Sequence, residues 1–336
     1  MLLYFLAGWL VFAHTVLLNL FICCKSKKKR LNLARLGIDT QKWKGVWPIQ
    51  SAHRGGSKER TENTLSAFRH AMSLGVNLLE CDVHMTKDGV VIVAHDSDLL
   101  RICGVVGSIT DYNYADLPPI AKEFSLHFWF DTYKMRPEED GKFTTLRELF
   151  EAAPDRLISI DLKGSSEGLS SKVDSLIREF NREDITIWGS MKYSLHKTLP
   201  TLNNNTPRFF SGFECFLIYT LYYMGLVWLY PMKSDVFMVP IATTSKMQFF
   251  GKMGQERKSS CLVRCIFIIL IAMLRNCKPL FRHLRARGVP VVVWVLNEES
   301  DFEEALELFG EEIDGMMTDC PTKLALFAKS KRSLTV

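Results

Sequence analysis

Short apolar runs alternate with amphipathic stretches along most of the chain. Runs of strand character cover 48–53, 78–83 (LLECDV), 90–95 (VVIVAH), 156–162 (RLISIDL), 185–188 (ITIW), 236–241 (VFMVPI), 289–296 (VPVVVWVL) and 313–318 (IDGMMT). Helical patterns lie between them at 63–75, 144–153, 169–181, 281–288 and 300–310. In the first helix Leu65, Phe68 and Met72 share one face and Gly75 stands where the helix ends. In the last, Ser300 is placed to cap the start and Gly310 to stop the end. This alternation, with continuously apolar strands, predicts an α/β fold whose parallel sheet is covered on both faces. About eight strands, with no glycine-rich dinucleotide or phosphate-loop fingerprint after the first, favour a closed (β/α)8 TIM barrel over an open sheet.

The termini follow a different pattern. From Leu2 to Cys24 no residue carries a fixed charge, a run long enough for one helix to cross a bilayer. The expected organisation is therefore a transmembrane anchor at 1–24, a basic juxtamembrane linker at 25–46, a barrel domain at 47–325 and a basic tail at 326–336. Lys25, Lys27, Lys28, Lys29 and Arg30 directly follow the apolar run. By the positive-inside bias, that block predicts a single-pass protein with its barrel in the cytosol. A lumenal barrel is the competing expectation, and Asn204-Asn205-Thr206 is the glycosylation pattern that would expose it. Two later apolar stretches, 216–230 and 265–274, are short for spanning. They read either as buried helices or as insertions near 209–232 and 261–275 that face a membrane, the first rich in Tyr and Trp as headgroup-level segments are.

Composition narrows the partners. Of the 336 residues 47% are hydrophobic and 24% charged, which is ordinary for a folded chain. The net charge is +5, and setting aside the basic block leaves 37 basic against 37 acidic residues. A neutral domain argues against nucleic acid as a partner. Nine cysteines, an odd number with no CxxC pair, point to a reduced protein. Cys23 and Cys24 are either palmitoylation sites or inert residues at the membrane edge.

Polar residues interrupt the apolar strands at their ends. With a period of two, Glu80, Asp82 and His84 share one face while Cys81 and Val83 share the other. Ser159, Asp161 and Lys163 repeat the device. Catalytic groups of a barrel sit at the C-terminal ends of its strands. Three carboxylates there make an oxygen-rich site for Mg²⁺ or Ca²⁺, and the lysine could neutralise a phosphate. A solvated edge strand for the first and a plain Asp-Lys pair for the second are the bland alternatives. His53 and His95 both close a strand, a placement that suits paired acid and base work. His53 and Arg54 leave the strand on opposite sides, so Gly55 and Gly56 are expected to bend the chain and to leave backbone room for a phosphate.

The segments HRGG (53–56), ENT (62–64), ECD (80–82), TKDG (86–89), HD (95–96), IDLK (160–163), VWVLN (293–297) and DGMMTDCP (314–321) resemble, in order and spacing, the glycerophosphodiester phosphodiesterases. The resemblance spans roughly residues 47–325, and the anchor with its apolar insertions looks like the membrane-bound, lysophospholipase D-type branch. It implies a barrel that hydrolyses a phosphodiester with one divalent cation. Carried over by position, His53 and His95 are the acid-base pair, Arg54 and Lys163 the phosphate clamp, and Glu80, Asp82 and Asp161 the metal ligands. Glu62 matches a glutamate that supports the cation or its shell, and His95 has metal ligation as its alternative role. The family commonly has Glu where this chain has the shorter Asp161. The implied setting is the endoplasmic reticulum or perinuclear membranes, with lysophospholipid as substrate and oligomeric state open.

The chemistry that follows is phosphoryl transfer, in which a cation and an arginine neutralise charge on the nonbridging oxygens. Attack by a free glycerol hydroxyl would make diacyl lipids poor substrates. The competing activities are cleavage of water-soluble glycerophosphodiesters to glycerol 3-phosphate and a phospholipase C-type reaction. A catalytically silent membrane scaffold is the non-enzymatic alternative.

Overall fold

The computed structural model describes residues 49–126, 131–164, 168–248 and 261–333. The expected anchor, the basic linker and the end of the tail lie outside the described residues. The strands are β1 (Ile49–Ala52), β2 (Leu78–Met85), β3 (Val91–Val93), β4 (Glu123–Ser125), β5 (Thr132–Lys134), β6 (Thr144–Thr145), β7 (Leu157–Leu162), β8 (Thr186–Gly189), β9 (Phe237–Pro240), β10 (Val291–Trp294) and β11 (Gly315–Thr318). Helices lie between the staves, among them Leu65–Ser73, Leu146–Ala152, Leu169–Glu179, Lys278–Ala286 and Glu299–Phe309.

β1 pairs in parallel with β2 and β11, β2 with β7, β7 with β8, β9 with β10, and β10 with β11. Residues 208–209 fill the remaining gap: Trp188 pairs with Arg208, and Phe209 with Val236. These two bridges close the parallel strands into a ring, a TIM-barrel-like α/β architecture.

The ring exchanges one stave relative to the sequence expectation. The run 90–95 supplies β3, which pairs antiparallel to β2, Val83 opposite Val93 and Met85 opposite Val91. Only the turn from Thr86 to Val90 joins them, far too short for the crossover that a parallel strand requires. β3 then pairs with β6, and β4 with β5 forms a separate hairpin. The stave that stands in its place is the two-residue segment at 208–209, after Pro207, which has no strand pattern of its own.

Alternation decides which side of the ring each residue faces. Cys81 and Val83 of β2 and Ile158 and Ile160 of β7 pack outward against Phe68, Phe150 and Val173 on the surrounding helices. Leu78, Leu157, Ile187, Met238, Val292 and Met317 fill a core of their own, together with Ile49. Glu80 and Asp82, two and four residues beyond Leu78, are thereby carried to the C-terminal end of the ring.

The two apolar insertions become the helices Gly212–Tyr223 and Cys261–Arg275. No helix among the described residues is long and apolar enough to cross a membrane. Ser211 and Glu214 form a capping box at the start of the first, and Ile218 and Tyr222 pack into the large core cluster. Phe216 on its other face is 67% exposed and Met224, just past its end, 64%, and on the second helix Ile268 is 64% and Ile269 58% exposed. The Tyr223 hydroxyl donates to the Met273 carbonyl at 2.6 Å, tying the two helices together. Arg275 fastens the second to the barrel through the Ala242 carbonyl and Glu304.

Candidate active site

The chain leaves β1 through a tight turn. Arg54 itself takes the left-handed conformation (φ 51°), followed by Gly55 at φ 79° and Gly56 at φ 104°. The bend thus begins one residue earlier than expected. On the Cβ side of both glycines the protein fills the space: a Cβ on Gly55 would meet Ala67 at 2.7 Å, and one on Gly56 would meet Pro321 at 2.6 Å. The turn brings the Arg54 backbone N–H to Glu80 Oε2 at 2.9 Å and its guanidinium to Asp82 and Glu62, each at 3.3 Å.

His53, Arg54, Glu80, Asp82, His95, Asp161 and Lys163 all line one cavity of about 530 Å³. Register explains the carboxylates, since Glu80 sits beside Ser159 and Asp82 beside Asp161 across β2 and β7. Glu62 is buried outside that lining, and both its oxygens accept from Arg101 at 2.7 and 3.1 Å. It therefore anchors the Arg54 and Arg101 guanidinium groups.

Each histidine is held by an aspartate. His53 Nδ1 lies 2.6 Å from Asp319 Oδ1, and His95 Nδ1 lies 2.7 Å from Asp96 Oδ1. Asp319 also accepts from Ser57 Oγ at 2.7 Å and from Asn297 Nδ2 at 2.9 Å. Burial opposes ionisation of Asp319, but His53 and these donors outweigh it and hold its pKa well below the carboxylate range. Burial likewise opposes the His53 imidazolium, yet Asp319 raises its pKa. Burial works against the Asp96 carboxylate too, and His95 with Arg101 keeps it ionised. An imidazole whose Nδ1 is committed to a carboxylate presents Nε2 to substrate in a defined tautomer.

The acid cluster is crowded. Burial first, and then the neighbouring Asp82, push the Glu80 carboxyl up to about 7. Asp82 moves the other way: burial opposes it, but Lys163 and Arg54 hold it down. Lys163 Nζ bridges Asp82 at 3.1 Å and Asp161 at 2.7 Å. Burial raises Asp161, and its Oδ1 is buried with no hydrogen-bond partner.

Among the described residues no three Asp, Glu, His or Cys side chains already converge as a metal site. The donor set nevertheless fits a hard divalent cation. Glu80 and Asp82 are adjacent buried carboxylates that repel each other, and the orphaned Asp161 oxygen is an acceptor without a donor.

Several contributors escaped the sequence reading. Asp319, Asn297 and Asn63 sit inside quoted motifs but showed no role there; Asn63 Nδ2 donates to Asp82 Oδ2 at 3.1 Å. Arg101 had no local signal, and Lys246 stood out in the sequence only as one of the basic residues flanking the apolar stretches, suited to anionic lipid or to solvent. Lys246 is a buried lysine on the cavity wall, with its pKa pushed down to about 8 by burial.

The cavity has two chemically distinct parts. Facing the charged cluster is an apolar wall that includes Ile241, Met247, Leu270, Ile271 and Leu274. The helix Cys261–Arg275 thus contributes directly to the site.

Residues 53–199 match the model of the glycerophosphoryl diester phosphodiesterase family. The human protein named lysophospholipase D GDPD1 is 36% identical over 277 residues, covering 82% of this chain and 84% of that protein. Human lysophospholipase D GDPD3 is 35% identical over 273 residues, 81% of this chain and 82% of the relative. Among solved structures, a putative glycerophosphoryl diester phosphodiesterase from Silicibacter pomeroyi superposes with a TM-score of 0.60 at 15% identity, covering 90% of this chain and 98% of that one. An Oleispira antarctica phosphodiesterase, solved with its product sn-glycerol-3-phosphate, gives 0.54 at 20% identity, covering 85% of this chain and 97% of that one. At those identities the structures speak for the fold, while the two human relatives, alike across four-fifths of the sequence, make this chain a member of the glycerophosphoryl diester phosphodiesterase family.

Proposed function

We propose that this enzyme is a lysophospholipase D, cleaving lysoglycerophospholipids to lysophosphatidic acid and a free choline, ethanolamine or N-acylethanolamine. One observation carries the reading: a single cavity joins a phosphodiester-cleaving set, His53, Arg54, Glu80, Asp82, His95 and Lys163, to a wall of Ile241, Met247, Leu270, Ile271 and Leu274. A water-soluble glycerophosphodiester has no use for that wall, whereas an acyl chain does.

In this reading Arg54 and Lys163 draw the phosphate oxygens toward the strand ends and offset their charge. His53, oriented by Asp319, takes the proton of the free glycerol hydroxyl as that oxygen attacks phosphorus. His95, oriented by Asp96, gives a proton to the departing alcohol. Water then opens the cyclic phosphate with the two roles reversed. A divalent cation held by Glu80, Asp82 and Asp161 would neutralise charge on the nonbridging oxygens.

The exposed Phe216, Met224, Ile268 and Ile269 support a catalytic domain that rests on a lipid surface. The basic block at 25–30 supports a cytosolic face, on endoplasmic reticulum or perinuclear membranes. Product analysis by mass spectrometry tests the activity, comparing the wild type with His53→Ala on lysophospholipids, diacyl phosphatidylcholine and glycerophosphocholine with Mg²⁺ or Ca²⁺. Lysophosphatidic acid plus free headgroup from monoacyl lipids alone is expected. Monoacylglycerol plus phosphocholine, or efficient diacyl turnover, would refute it.

A further inference from the structure

Lys246 is a buried cation on the cavity wall that none of the catalytic steps above employs. Its Nζ donates to the Ile241 carbonyl at 3.1 Å and to the Trp294 carbonyl at 3.0 Å. An ammonium has three N–H donors. The third has no protein acceptor among the described residues. The two carbonyls lie at the ends of β9 and β10, across the ring from β2 and β7, which carry Glu80, Asp82 and Asp161. Lys246 is therefore rooted across the ring from the acid cluster, where Ile241, Met247 and Leu274 line the cavity and the charges of Asp301 and Asp319 act on it without a hydrogen bond.

A buried donor among apolar side chains is costly unless something accepts from it. A lysophospholipid lying with its phosphate at the acid cluster and its chain along the apolar wall offers one acceptor at that junction, the carbonyl oxygen of the acyl linkage. We propose that Lys246 is a specificity residue whose remaining N–H donates to this carbonyl and so selects acyl lipids. The proposal rests on the lipid reading above and adds to it a discrimination at a single atom.

The test compares kcat/KM on 1-acyl- and 1-alkyl-lysophosphatidylcholine of equal chain length, with glycerophosphocholine as a third substrate. The alkyl ether lacks the carbonyl and is otherwise matched. A hydrogen bond from a charged donor is worth roughly tenfold or more. The wild type is expected to favour the acyl lipid by about that factor. Lys246→Met brings the acyl-to-alkyl ratio close to one through a loss on the acyl lipid, and Lys246→Arg keeps most of the preference. An equal loss on both lipids overturns the proposal, because Lys246 would then serve the phosphate or merely pin the 241–246 segment. A wild-type ratio near one overturns it without any variant, which covers the case in which Lys246→Met fails to fold. If the wild type cleaves glycerophosphocholine but neither lipid, the lipid reading itself has failed and takes this assignment with it.

Discussion

His53 Nδ1 stands 2.6 Å from Asp319 Oδ1, although 266 residues separate the two in sequence. β1 and β11 are neighbours in the ring, with Ala52 opposite Thr318, so both strands reach their last residue together and the next residue of each meets the other. Ser57 and Asn297 fix the Asp319 carboxylate from two further sides. That arrangement dictates which nitrogen of His53 faces substrate. Asp319→Asn should keep the fold and lower kcat by about a hundredfold with a smaller effect on KM, within the range for misaligned acid-base catalysis. Asp319 also raises the His53 pKa, so removing its charge should shift the acidic limb of kcat/KM toward lower pH. A kinetic pH profile of the variant checks both. An unshifted limb with normal kcat would show that the pair does not orient the base.

How much of this was legible in the sequence depended on whether the signal was local. A period of two along LLECDVHM was enough to put Glu80 and Asp82 on one face and Cys81 and Val83 on the other, and the strand does so. The His53–Asp319 pairing was not legible, because it is a product of ring closure between the first and last staves. The exchange of staves has the same origin. The run VVIVAH looks like a core strand by composition, yet the short turn before it leaves only an antiparallel return. The 208–209 stave has two residues and no pattern to read. Lys246 sits in a helical stretch where a lysine is ordinarily solvated, yet it is buried, with its ammonium hydrogen-bonded to the Ile241 and Trp294 carbonyls at the ends of β9 and β10.

The acid cluster predicts a response to divalent cations. Glu80 and Asp82 repel each other in a buried setting, and Asp161 Oδ1 lacks a donor, so a bound cation would relieve all three. Chelation should abolish turnover, and Mg²⁺ or Ca²⁺ should restore it and raise the melting temperature. At a concentration about 100 times Kd the stabilisation is about 2.7 kcal/mol. Glu80→Gln should remove the thermal response along with the activity. A Glu80→Gln melting curve that still shifts with cation would place the ion elsewhere.

Glu214 predicts a stability change confined to acid. It accepts from the Ser211 N–H at 2.9 Å and its hydroxyl at 3.0 Å, and lies 3.1 Å from His196 Nε2. Burial opposes its charge, but His196 and Ser211 overcome that and push its pKa down to about 2 from 4.5. A depressed carboxylate pKa contributes stability that is fully present above the unfolded value near 4.5. That contribution is lost as pH falls from there toward about 2. The span corresponds to about 3 kcal/mol at most. Glu214→Gln should therefore melt lower than the wild type at pH 7, with the two curves drawing together as pH falls from about 4.5 and meeting near pH 2. Parallel melting curves across that window would mean that Glu214 acts only as a neutral cap.

The exposed apolar faces predict a second, separable effect on lipid turnover. Phe216 and Ile268 are 67% and 64% exposed, on two helices that the Tyr223–Met273 hydrogen bond holds together. Neither lines the cavity, but Leu270, Ile271 and Leu274, on the same helix as Ile268, do. A lipid surface touching the outer face of that helix would therefore lie next to the apolar wall of the site, and a monoacyl lipid could pass between them without crossing much water. Withdrawing a large apolar side chain from water contributes about 1.5–3 kcal/mol when complete, so two half-immersed residues together are worth roughly tenfold or more in partitioning. Phe216→Ser with Ile268→Ser should weaken cosedimentation with vesicles by about that factor. Turnover of lysophospholipid held in vesicles should fall in parallel, while the same lipid presented as dilute monomers is cleaved at a rate much closer to that of the wild type. An equal loss on vesicles and monomers would mean that these faces serve the fold of the insertion and not its contact with lipid.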